Sequence, residues 1–236
     1  MHTAFGRENG SQTMVLMVHG IMGSPNQFRT LADSLREDVD YRCVLLPGHG
    51  CSMREFTSVR KTDWLRFIYE TVSDLRKRYE RLIFVGHSMG CLLGLIAQER
   101  IRFDGMLLIS CPLCLRMSLR YPITGLRAAI EKNSKNARVR AAQVANSVQM
   151  GTFAQNLGIV FPYAELLKLI HQARRISKNA YGIAVFSSDD EIVSAKSAKY
   201  LPGFQILNAP DSGHFFYSKR AQSLISDAID SLIQSA

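Results

Sequence analysis

Short apolar runs alternate with longer amphipathic stretches along the chain. Thr13-Met14-Val15-Leu16-Met17-Val18-His19 is near-continuously apolar and bounded by polar residues. Tyr41 to Leu46, Arg81 to Val85, Gly105 to Ser110, Gly182 to Phe186 and Phe204 to Leu207 repeat that pattern. Runs without polar alternation mark strands covered on both faces, the arrangement of a parallel sheet. Between them the period changes to that of helices. Ser24-Pro25 offers a cap and a first-turn proline for a helix from Gln27 to Leu35. Thr62 is expected to cap an amphipathic helix whose apolar positions include Trp64, Leu65, Ile68, Val72 and Leu75. Helices are also expected from Met89 to Ile101 and from Lys219 to Ile233. Alternating strands and helices predict a doubly wound α/β fold with a mostly parallel sheet.

One connection breaks the rhythm. About 70 residues separate Ser110 from Gly182, whereas a parallel crossover needs only a dozen or so. Helices are expected there around Gly125 to Gln149 and Tyr163 to Lys178, with Phe153, Leu157, Ile159, Val160 and Phe161 between them. The chain then divides into a core from 1–111, a helical cap insertion over 112–180 and the rest of the core over 181–236. A long insertion at the strand ends is where a cap over a site belongs.

At 236 residues the chain suits one large domain able to bury a core without metal or disulfides. No 18-residue apolar run is present, so no membrane-spanning helix is expected. The start lacks a secretion signal, and the five cysteines mostly adjoin apolar runs, which suits a reducing cytoplasm. Cys111-Pro112-Leu113-Cys114 has no second pair, so it reads as two ordinary thiols. The formal charge of +9 is concentrated: eleven basic and two acidic residues lie between Pro112 and Ala180. That segment could meet anionic lipid or an acidic substrate. Aromatic residues do not alternate with its cations, so no nucleic acid is expected.

The chemistry centres on Gly86-His87-Ser88-Met89-Gly90. This G-x-S-x-G stands between a predicted strand and a predicted helix, where a serine can be thrust out of a sharp turn. Glycines two positions to either side leave room for that turn, and the helix start favours an oxyanion. A serine hydroxyl needs a base. His214, in Asp211-Ser212-Gly213-His214, follows the last strand and so lies at the same sheet edge. Asp190 follows the strand ending at Phe186 and is preferred as the residue orienting that imidazole. Asp189 is the fallback, and Asp211 the weaker third choice. Oxyanion donors are expected at the Met89 amide and, in His19-Gly20-Ile21-Met22-Gly23, at the Ile21 amide. Met22, Phe28, Phe153 and Phe215 are candidate substrate contacts.

With His19-Gly20-Ile21-Met22-Gly23, Leu46-Pro47-Gly48-His49-Gly50, Asp190-Glu191-Ile192-Val193 and Ser212-Gly213-His214, these motifs resemble the α/β-hydrolase superfamily over nearly the whole chain. Within it, the chain resembles small microbial carboxylesterases and monoacylglycerol lipases. The resemblance implies a serine hydrolase acting on carboxylic esters of small molecules, with no cofactor or metal. An acyl thioesterase or acyltransferase could use the same residues, and a non-catalytic binding protein remains a third class. Two departures stand out. Only about a dozen residues precede the first long strand, room for one short strand at most, so six to seven strands are expected in place of the family's eight. Ser187 replaces the glycine usual before the acid.

Overall fold

A computed structural model describes residues 2–116, 131 and 134–235. The sheet has seven strands in the order β1-β3-β2-β4-β5-β6-β7. They are β1 (Phe5–Arg7), β2 (Thr13–Val18), β3 (Asp40–Val44), β4 (Arg81–His87), β5 (Gly105–Ile109), β6 (Gly182–Phe186) and β7 (Phe204–Asn208). Only β1 runs antiparallel, pairing Phe5 with Cys43 on β3. The single short strand that fits ahead of β2 is present, and the sheet is otherwise parallel as expected.

Eight helices lie among the described residues: α1 (Arg29–Asp33), α2 (Met53–Ser58), α3 (Lys61–Arg78), α4 (Met89–Ala97), α5 (Ala137–Ala145), α6 (Phe153–Leu157), α7 (Val160–Ile176) and α8 (Lys219–Ser235). Strand periodicity sorts the core into two layers. Met14, Leu16 and Val18 of β2 point to one face with Phe84, Met106 and Leu108, where Trp64 of α3, Leu93 of α4 and Leu169 of α7 pack. Val15, Met17, Ile83, Val85 and Leu107 point to the other face, against Ala32 of α1 and Ile225 and Ile229 of α8. Because both faces are covered, the strands carry no polar alternation.

The helix ends differ from expectation for local reasons. Before α1, Pro25–Phe28 forms a 3-10 turn whose cap is Ser24, with its Oγ accepting from Asn26 N at 3.2 Å. The α3 helix starts one residue before Thr62, because Asp63 Oδ2 accepts from Arg60 N at 2.9 Å. The short helix α2 was not anticipated, although Ser52 and Glu55 form a reciprocal capping box at its start. In the insertion, the expected helix at 125–149 lies partly outside the described residues; among those described, only α5 is helical, and it ends at Ala145, where Asn146 turns extended. Phe153 to Leu157 forms a helix of its own, and α7 starts at Val160, three residues ahead of the expected Tyr163. Pro162 is tolerated there because it sits in the first turn. Leu166, Leu169, Ile170 and Ala173 of α7 are buried in the main core. The end of the insertion therefore belongs to the helical layer over the sheet. Among the described residues no helix is long and apolar enough to cross a membrane.

Candidate active site

Register brings the carboxyl ends of the central strands level. Val18 pairs with Gly86, His87 with Ile109, and Ile109 with Val185. The connections leaving β2, β4 and β6 therefore start side by side. Between β4 and α4 the backbone turns at Ser88, with φ 52° and ψ −120°. A non-glycine residue in this region is strained, and the strain persists only where the surroundings enforce it. They do so here. A side-chain carbon at Gly90 would lie 2.1 Å from Val18 O, and one at Gly86 would lie 2.7 Å from Cys91 N. The elbow closes because both positions are bare.

The structure brings Ser88, His214 and Asp190 together. His214 Nε2 is 3.1 Å from Ser88 Oγ, while Nδ1 is 3.0 and 3.1 Å from the two oxygens of Asp190. All three residues are buried. With Asp190 as the acceptor, Nδ1 carries the proton and Nε2 is left to accept from the serine hydroxyl. Asp190 Oδ1 also accepts from Ile192 N and Val193 N, each at 2.8 Å. Burial alone would raise the Asp190 carboxyl. The neighbouring imidazole and the two amides outweigh burial and hold the group well below the usual carboxylate range. Asp189 is exposed, and Asp211 is an exposed residue at φ 53°. Neither stands at the imidazole.

The loop after β2 runs against the turn at Ser88, since a side-chain carbon at Gly20 would sit 2.9 Å from Ser88 Cβ. His19 holds that loop. Its Nε2 accepts from Leu46 N at 3.1 Å, so Nδ1 bears the proton and donates to Gly20 O at 2.8 Å. Burial, then the proximity of His49, keeps the His19 imidazole neutral well below its ordinary pKa. The Ile21 amide lies in this loop, and the Met89 amide opens α4, where the helix dipole favours negative charge.

Three contacts at the site were not anticipated. His87, expected simply to point away from a ligand, has its Nε2 2.9 Å from His214 O; a proton there donates to the carbonyl. Its buried ring is pushed down to about 3, chiefly by burial and then by His214, so it is neutral. Tyr217 donates to the same carbonyl at 3.2 Å. Glu191 Oε2 accepts from His214 N at 2.8 Å. Glu191 stands within the motif that marked Asp190, but nothing in one dimension says which way its carboxylate turns. Ser187, the departure from the usual glycine, donates from Oγ to Ser212 O at 2.7 Å and ties the acid loop to the histidine loop.

A cavity of about 620 Å³ has Phe28, His87, Ile109, Val144 and Phe215 in its wall, together with Gln222, Ser226 and Asp227 of α8, but none of Ser88, His214 and Asp190. Phe28 and Phe215 thus share a wall, and the Phe215 ring stands edge-on to His214 with centroids 4.8 Å apart. Met22, at φ 55°, lies elsewhere; Tyr163 Oη approaches its sulfur at 3.8 Å. Phe153 is not brought to this wall: it opens the short helix α6 and is 81% exposed. All five cysteines are free, with Cys111 buried and Cys114 half-buried.

The profile of the alpha/beta hydrolase family matches residues 15–225. A thermostable monoacylglycerol lipase from Bacillus sp. (strain H-257) is 32% identical over 96 residues, which are 40% of this chain and 38% of that protein. The match thus spans well under half of that relative's length. Among solved structures, one from the study of the metagenome-derived lipolytic enzymes LipS and LipT superposes with a TM-score of 0.74 at 18% identity, covering 99% of this chain and 98% of that one. The monoacylglycerol lipase of Paleococcus ferrophilus gives 0.70 at 14% identity over the whole of both chains. A soluble variant of the Saccharomyces cerevisiae monoglyceride lipase gives 0.69 at 17% identity, covering 99% of this chain and 90% of that one. At such identities these structures speak for the fold. With the family profile running from β2 into α8, this chain belongs to the α/β-hydrolase family.

Proposed function

We propose that the protein is a serine hydrolase of carboxylic esters, with short- to medium-chain acyl esters or monoacylglycerols as substrates. The observation that carries this reading is the unbroken relay from Asp190 through His214 to Ser88 Oγ, on a strained turn at a helix start. Ser88 Oγ attacks the ester carbonyl carbon as its proton passes to His214 Nε2. Negative charge develops on the carbonyl oxygen, facing the amides of Ile21 and Met89. The tetrahedral centre collapses, the C–O bond to the alcohol breaks, and the alcohol takes the proton from Nε2. Water then attacks the acyl-serine by the same path, releasing the carboxylic acid and restoring the serine hydroxyl. Asp190 remains ionised throughout and stabilises the imidazolium.

The monoacylglycerol lipase that matches part of the chain supports the choice of ester, as does the Phe215 ring standing against His214. The insertion supports a lipid-borne substrate. Phe153, Leu157, Val160 and Phe161 present apolar side chains to solvent within the segment that carries the excess of basic residues. Arg60 lies over the Phe161 ring at 5.9 Å, and exposed apolar groups next to a cation suit the surface of an anionic bilayer. The decisive experiment is Ser88→Ala, assayed on p-nitrophenyl butyrate and on a monoacylglycerol. Both activities are expected to vanish, and the wild type alone should react with a fluorophosphonate; turnover that survives the substitution overturns the assignment.

A further inference from the structure

His214 is gripped at every polar atom it has. Asp190 takes Nδ1, Ser88 meets Nε2, and His87 and Tyr217 share the carbonyl. The backbone amide goes to Glu191, which is 8% exposed. Its second oxygen, Oε1, accepts from Arg138 Nη1 of helix α5 at 2.7 Å. Arg138 also lies over the Phe216 ring at 6.0 Å. One carboxylate therefore joins a cation of the inserted segment to the amide of the candidate base. The chain makes room for this pair: a side-chain carbon at Gly213 would lie 2.4 Å from Arg138 Nη1 and 2.8 Å from each Glu191 oxygen.

We propose that Glu191 and Arg138 form a positioning pair that couples helix α5 to His214, setting both the place of the imidazole and its charge environment. This rests on the reading of His214 as general base. A buried carboxylate is costly unless paired and hydrogen-bonded, so a mere surface ion pair would not need this site. The pair places a negative charge at the His214 amide and, on the far side of that carboxylate, a positive charge at Arg138; the imidazole's other titratable neighbours are Asp190, His87 and Tyr217. The two charges act on the imidazolium in opposite senses. Glu191→Gln removes the negative charge and leaves the guanidinium, which disfavours the imidazolium. Arg138→Met removes the positive charge and leaves the carboxylate, which favours it.

The test is the pH dependence of kcat/KM for p-nitrophenyl butyrate. Glu191→Gln should move the acid limb to lower pH, and Arg138→Met should move it to higher pH, each by about half a unit. The double variant should return the limb to the wild-type position with kcat still reduced about tenfold, because charge is rebalanced while the imidazole is less firmly held. Arg138→Lys should restore the limb of Arg138→Met. Gly213→Ala, which displaces the pair without changing charge, should lower kcat more than it raises KM. Limbs that stay put, or that move in the same direction in both single variants, overturn the proposal. Fluorophosphonate labelling of the wild type keeps the two readings apart. Without labelling the serine-hydrolase reading falls; with labelling and immobile limbs only the positioning pair falls. Since Arg138 is partly exposed, its variants report even where a Glu191 variant does not fold.

Discussion

The sheet edge and the inserted segment treat their side chains in opposite ways. At the edge, polar groups are buried and satisfied: Ser88, Asp190 and His214 are each at most 5% exposed and bonded to one another. In the insertion, large apolar groups are left in solvent, with Phe153 at 81% and Val160 at 60% exposure. Buried polar groups held by rigid strands give preorganised chemistry, which loses nothing to reorganisation when charge develops. Exposed apolar surface does the reverse; it gains only when something covers it. The polar groups of the edge are partnered within the fold, whereas Phe153, Leu157, Val160 and Phe161 of α6 and α7 stay in solvent. Glu191 and Arg138 are where the two regions meet.

The contrast breaks most visibly at the edge. Ser88→Ala should abolish turnover, a loss of about 10⁶-fold, and Asp190→Asn should lower kcat by about 10⁴-fold, because the imidazole loses the partner that sets its tautomer. Asp189→Asn, at an exposed residue one position away, should change kcat less than about twofold. Steady-state turnover of a soluble ester measures all three, and a large loss at Asp189 would mean that the wrong carboxylate has been assigned.

The next effect is on stability. His49 is pushed down to about 4 and His87 to about 3, in both cases chiefly by burial. The folded state therefore resists protons that the unfolded chain accepts below its ordinary histidine pKa. Stability is retained above that value and lost as pH falls from it toward the folded values. Each buried ring contributes a loss of about 1.4 kcal/mol per pH unit in that window. The depressed Asp190 carboxyl acts in the same direction at lower pH, stabilising above the ordinary aspartate pKa and less so as pH falls beneath it. Thermal melts should show a level Tm above neutral pH and a steep fall on acidification from about pH 6.5 to 4. A Tm unchanged across that range would mean the imidazoles are hydrated.

The smallest effect belongs to the insertion. Phe153→Ser with Phe161→Ser should weaken binding to vesicles of anionic phospholipid about tenfold and leave turnover of p-nitrophenyl butyrate unchanged. Wild-type binding should fall with added salt. If vesicles bind equally well to both proteins, the exposed rings have another purpose.

The parallel strands, the elbow serine and the histidine after β7 were legible because each is a local signal. An unbroken apolar run means a strand covered on both faces, and glycines spaced about Ser88 mean a turn too tight for side chains. The place of Asp190 was legible as a strand end, but its preference over Asp189 was a matter of facing, and facing is decided by which side chain the loop turns inward. The start of α7 moved because Pro162 can occupy a first turn, and Phe153 left the expected pocket because its short helix turns it outward. The amide grip of Glu191, the carbonyl grip of His87 and the Arg138 bridge join residues remote in sequence, apart from the Glu191 motif itself. One-dimensional patterns report what a residue's neighbours allow; the partners of a buried carboxylate are set only when register and packing bring distant loops within hydrogen-bond reach, and that was decided by the tertiary structure.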